Sequence, residues 1–230
     1  MPAGEQLQPS LAGWWYGYVS LLMFQFILLR WYFRLCIWGR FLWQVSRLEL
    51  SLVPTNPDHA GGLGFLSLIV PAFTPLLLAQ GSLYAGMLAN RIFFLGAKLP
   101  EFVSDLALWA GVFLVAVLGP FLVFMPQLWR TKRTGLLEYG VLAQRLVREF
   151  DHKWLRGGAA AEEPLVGSGD VSSLADLGNS FDVVRTMRLV PFTKETVLLL
   201  LVTTLAPVLP LTFTMIPLDE LLRRLLGVLF

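Results

Sequence analysis

Residues 106–129 read LALWAGVFLVAVLGPFLVFMPQLW and contain no Asp, Glu, Lys or Arg. The hydrocarbon core of a bilayer is about 30 Å thick and is crossed by roughly 20 apolar residues in a helix. This window is long enough to cross it and is apolar on every face, whereas a strand of a transmembrane barrel alternates apolar and polar residues. The stretch therefore predicts a membrane-spanning helix.

Three further windows lack charged residues, namely 6–29, 60–90 and 196–218. The chain of 230 residues is 56% hydrophobic and 15% charged, against about 45–50% and about 25% in soluble domains. This composition excludes a soluble globular domain and a disordered chain. We predict an all-α integral membrane bundle with four transmembrane helices, at about residues 14–38, 63–88, 106–129 and 196–217.

The reactive residue types are few. Cys36 is the only cysteine, which excludes an internal disulfide, and the net charge of +2 gives no basic surface for nucleic acid. With His59 and His152 as the only histidines, the chain shows neither metal-ligand spacing nor a nucleophile–base pair. We expect no enzyme activity, no cofactor and no metal. No charged residue lies in the middle of a window, although a proton pump usually requires one.

The basic residues divide unequally between the two sides of the predicted bundle. Residues 30–59 and 130–195 carry 14 of the 18 Lys and Arg residues. Cytoplasmic segments of membrane proteins carry such an excess, so we predict that these segments are cytoplasmic and that both termini lie outside. The predicted parts are three membrane helices with a cytoplasmic turn at 39–62 (1–129), a cytoplasmic helical lobe (130–195), and a fourth membrane helix with an amphipathic tail (196–230).

Helical periodicity predicts two helices in the lobe. Apolar residues recur at steps of three and four from Tyr139 to Trp154, which predicts an amphipathic helix. A second helix is expected to begin after Asp170 or Ser173, since both residues are good N-caps, and to end near Arg188.

Four polar residues of this second helix are candidates for a regulatory or partner contact. A carboxylate beside an amide could coordinate a hard cation, and an acidic and a basic residue three positions apart can pair. A solvated helix face explains the same residues. The candidates are Asp176, Asn179, Asp182 and Arg185.

The turn before the second membrane helix reads LVPTNPDHAGGLGF, residues 52–65. Its Asn and Asp side chains can bond to backbone within such a turn, and its glycines leave backbone N–H groups bare where the helix begins. Three interpretations stay open: a structural turn that lets helices pack closely, an anion or headgroup site, or ion and proton handling at a pore mouth. The candidate residues are Asn56, Asp58, His59, Gly61, Gly62 and Gly64.

Residues 41–66, FLWQVSRLELSLVPTNPDHAGGLGFL, resemble a family of uncharacterised bacterial multi-pass inner-membrane proteins whose segments read PTHPDRAGGLGF. Asn56 and His59 stand where that pattern has His and Arg. Residues 172–191 and 210–226 resemble the same family. The resemblance implies a bacterial inner membrane and a further N-terminal helical portion in the family, and it implies no activity.

Prolines and small residues shape the predicted bundle. Proline pairs at 71 and 75, 120 and 126, and 207 and 210 are expected to kink three helices, which serves either packing or an ion path. Gly81, Ala85 and Gly86 permit close helix contact, and Gln25 and Gln80 are expected to form interhelical hydrogen bonds. We therefore expect a homo-oligomer or a partner membrane subunit within the lipid bilayer.

Two functional hypotheses follow. The first is an oligomeric channel or channel-like pore for small ions, with Asn56, Asp58 and His59 at its mouth. The alternative is a non-conducting scaffold or accessory subunit that docks a partner through its cytoplasmic helices.

Overall fold

The computed structural model describes residues 10–158, 164–165 and 167–212. Within these ranges every regular element is a helix. The elements are α1 (Leu11–Val45), α2 (Gly64–Leu95), α3 (Leu99–Leu155), α4 (Gly169–Thr186) and α5 (Lys194–Thr212). All except α4 are long and apolar enough to cross a membrane, which confirms the predicted all-α bundle with four transmembrane helices.

Helix α3 extends well beyond a membrane. It has 57 residues, and at 1.5 Å per residue it is roughly 85 Å long, against about 30 Å for a bilayer core. Its second half contains the amphipathic segment predicted from Tyr139. The helix passes residue 130, where we placed the start of the lobe, without a break. Residues 130–138 contain no proline and one glycine, so nothing in them ends a helix.

Each proline pair lies where the helix changes between 3₁₀ and α geometry. The 3₁₀ segments at these pairs are Gly64–Phe73, Gly119–Phe124 and Ala206–Val208, and each contains one proline. Because proline has no N–H, it cannot complete the α-helical hydrogen bond. The backbone hydrogen-bond pattern of these three helices therefore changes next to the prolines.

The apolar core forms where the end of α1 meets α2, α3 and α5. Leu42, Leu77, Phe121, Phe124 and Leu200 are fully buried there. No residue of α1 before Leu42 is buried. The first half of α1 therefore presents its apolar side chains outward.

One polar contact joins two spanning helices near this core. Gln80 Nε2 of α2 donates to the hydroxyl of Tyr32 of α1 at 2.8 Å, as expected for Gln80, whereas Gln25 is exposed on α1. The predicted tail at 219–230 lies outside the described residues.

Candidate functional site

The turn at 52–65 is organised around the carboxylate of Asp58. Oδ1 accepts hydrogen bonds from the N–H groups of Ala60 (2.8 Å) and Gly62 (3.1 Å), and Oδ2 accepts one from Gly64 at 2.8 Å. Gly64 is the first residue of α2, so Asp58 also satisfies a free N–H group of that helix. The bare N–H groups expected from the sequence are therefore bound by a carboxylate of the same turn.

The surroundings of Asp58 favour its charged form. Partial burial alone would raise the pKa, but the hydrogen bonds from Ala60, Gly64 and Gly62 and the nearby charge of Arg188 outweigh it. The pKa of Asp58 therefore lies below its ordinary value. The carboxylate is ionised at neutral pH and fully engaged by backbone donors.

The glycines of the turn allow this arrangement. Gly61 and Gly62 adopt φ values of 65° and 99°, which side chains rarely permit. At Gly64 a Cβ atom would lie 2.8 Å from the Cβ of Asp58. The three glycines therefore shape the loop.

Asn56 bonds within the turn, whereas His59 contacts the lobe. Asn56 Oδ1 accepts a hydrogen bond from the Asp58 N–H at 3.1 Å. His59 has a φ of 51°, and its Nδ1 lies 3.0 Å from Oγ1 of Thr186 at the end of α4. The structure thus brings the three predicted polar residues together, and it joins them to the lobe.

Arg188 fixes the turn to the lobe and was missed by sequence reasoning. Its Nη2 donates to the Asp58 carbonyl at 2.7 Å, and its own N–H donates to the His59 carbonyl at 2.7 Å. Lys132 Nζ of α3 donates to the carbonyl of the adjacent Met187 at 2.7 Å. Arg188 and Asp58 are 130 residues apart, so no local pattern indicates their contact.

The second predicted cluster lies apart, on the exposed side of α4. Arg185 and Asp182 form the expected pair at 2.8 Å, and both are exposed. Asp176 and Asn179 are exposed as well. In the described part of the chain, no group of three His, Cys, Asp or Glu residues is placed to hold a metal ion.

The low pKa of Asp58 predicts that the turn weakens in acid. A carboxyl group whose pKa is lowered by folding stabilises the protein above its unfolded pKa of about 3.9, and this stabilisation is lost as the pH falls through the folded pKa. We expect the unfolding temperature in detergent to decrease when the pH is lowered below about 4. Asp58→Asn should show a smaller drop, and an equal drop in both proteins would contradict the assignment.

No family model, curated protein or solved structure matches this chain. The resemblance of residues 41–66 to bacterial inner-membrane proteins therefore stays a prediction. The four long apolar helices indicate that the chain is a multi-pass membrane protein.

Proposed function

We propose that this protein is a non-conducting membrane scaffold or accessory subunit, and not an enzyme, that docks a partner through its extramembrane helices. The observation that carries the proposal is the continuity of α3, which runs from the membrane into the lobe. A partner bound to the lobe is thereby held at a fixed distance from the bilayer.

The docking surface is a groove between α3 and α4, which we call the lobe groove. It has a volume of about 530 Å³ and includes Gly140, Ala143, Val147, Arg148 and Phe181 in its lining. Small residues at 140 and 143 leave the space open, and the Val147 side chain is 52% exposed. An apolar surface next to an exposed arginine suits an amphipathic helix with an acidic residue.

The lobe is tied to the membrane helices at its base. Thr186 contacts His59, and Arg188 donates to the turn before α2. At the other end of α4, Asp170 accepts hydrogen bonds from Lys153 Nζ (2.7 Å) and Trp154 Nε1 (3.1 Å) of α3. These contacts at both ends of α4 support a lobe that keeps its orientation when a partner binds.

Site-specific crosslinking in cells tests the docking surface. A photoreactive residue at Ala143 should yield a discrete crosslinked product, and Val147→Arg should abolish it by placing a charge on the apolar surface. The matched control is the same photoreactive residue at Asp176, which is exposed on α4. Identical products from both positions, or persistence of the product in Val147→Arg, would contradict the docking surface.

An oligomeric channel is the second candidate. The interior of one chain is filled by apolar side chains such as Phe121 and Leu200, so a pore would run between copies. The unburied first half of α1 offers a surface for such a homo-oligomer. Ion flux through liposomes containing the purified protein, above that of protein-free liposomes, would overturn the scaffold proposal in favour of a channel.

We further propose that the membrane is a bacterial inner membrane and that the lobe is cytoplasmic. The resemblance of residues 41–66 supports the first point, and the 14 basic residues on one side support the second. An impermeant thiol reagent should label Leu165→Cys, in a Cys36→Ser background, only after the cells are opened. Labelling of intact cells would reverse the orientation.

A further inference from the structure

A second pocket lies between the end of α1 and the middle of α3, and we call it the basic pocket. It has a volume of about 440 Å³, and its lining includes Trp43, Arg47, Val123, Gln127 and Arg130. None of the residues that line it is acidic. In the described part of the chain, neither Arg47 nor Arg130 forms an ion pair with a carboxylate.

The pocket lies at the level expected for lipid headgroups. Arg130 directly follows the charge-free window 106–129, and tryptophan is enriched at the membrane–water interface. The Arg47 guanidinium lies 4.9 Å from the centre of the Trp43 ring, which holds it over the aromatic face. The Arg133 guanidinium lies 5.4 Å from the Trp129 ring on the same side of the membrane.

Gln127 holds the two helices together at this point. Its Nε2 donates to the carbonyl of Ser46 at 2.8 Å and to that of Leu48 at 3.3 Å. These carbonyls lie just after the end of α1, so Gln127 of α3 joins α3 to the turn that contains Arg47. Arg47 and Arg130 of α3 line the same pocket. The two like charges lie at one pocket, and an anion between them would offset their repulsion.

We propose that the basic pocket binds the phosphate headgroup of an anionic phospholipid. The planar guanidinium group of arginine can donate two hydrogen bonds to the oxygens of one phosphate, and basic pockets between transmembrane helices bind anionic headgroups. The acyl chains would lie along the apolar side of the pocket at Trp43 and Val123. This proposal does not depend on the scaffold function.

Lipid titration of the purified full-length protein tests the proposal. Native mass spectrometry should detect tighter binding of phosphatidylglycerol than of phosphatidylcholine with the same acyl chains. Arg47→Gln with Arg130→Gln should weaken phosphatidylglycerol binding about 30-fold, since each arginine near a lipid surface contributes about five-fold. Arg47→Lys with Arg130→Lys should retain most of the preference for phosphatidylglycerol over phosphatidylcholine.

The matched control is Arg145→Gln with Arg156→Gln, which removes the same charge from exposed positions of the lobe. Equal weakening by the control pair, or equal binding of the two lipids by the unmodified protein, would overturn the proposal.

A further measurement leaves both arginines in place. Brominated phosphatidylglycerol should quench tryptophan fluorescence more than brominated phosphatidylcholine does. Trp43→Phe should reduce the ratio of quenching by the first lipid to quenching by the second. An unchanged ratio would count against the pocket.

Discussion

Asp58→Ala is expected to lower the free energy of unfolding by about 2–3 kcal/mol, because it leaves backbone donors without their charged acceptor. Three N–H groups, those of Ala60, Gly62 and Gly64, lose their partner. The turn also presents the carbonyls that bind Arg188. We therefore expect the lobe to loosen from the membrane helices, seen as faster proteolysis of the chain in detergent.

The control for this substitution is Asp176→Ala. Asp176 is exposed on α4, and surface substitutions of this kind change stability by about 0.5 kcal/mol or less. Thermal unfolding followed by circular dichroism compares the two variants at equal loss of charge. If both unfold at the same temperature as the unmodified protein, the turn is not held by Asp58.

Gly81→Ala is expected to destabilise the membrane bundle by about 2–3 kcal/mol, as overpacking does in a tight core. A Cβ atom at Gly81 would overlap the backbone carbonyl oxygen of Thr204 and would lie 3.2 Å from Cγ of Pro207. Backbone of α5 cannot rotate away as a side chain would. Helices α2 and α5 must therefore move apart at Gly81.

Gly86→Ala is the matched control because it makes the same change on the same helix. Apart from the adjacent residues and the nearby backbone of α2 itself, no atom of the described structure lies within 4 Å of a Cβ placed at Gly86. Alanine favours a helix over glycine by up to about 1 kcal/mol, so this variant should be as stable as the unmodified protein or more so. Unfolding in a denaturing detergent series compares the two variants, and equal behaviour would mean that α2 and α5 do not meet at Gly81.

The sequence alone determined the class of fold. Crossing a membrane depends on the length and hydropathy of one continuous segment, and the four charge-free windows contain that information in full. Apolar periodicity also predicted the two helical segments of the lobe. The first is the second half of α3, and the predicted N-caps of the second, Asp170 and Ser173, were wrong because α4 begins at Gly169. Composition also marked the turn at 52–65 as unusual, since prolines, glycines and Asx residues determine turn geometry locally.

The tertiary structure decided how those parts connect. The carboxylate of Asp58 binds the protein itself because the N–H groups of Ala60, Gly62 and Gly64 point toward it. Arg188, which lies 130 residues further along the chain, contacts the same turn. The basic pocket likewise depends on tertiary structure, since Gln127 of α3 bonds to the backbone just after α1. Hydropathy is a property of each segment by itself, whereas the partner of a polar group depends on the position of distant backbone.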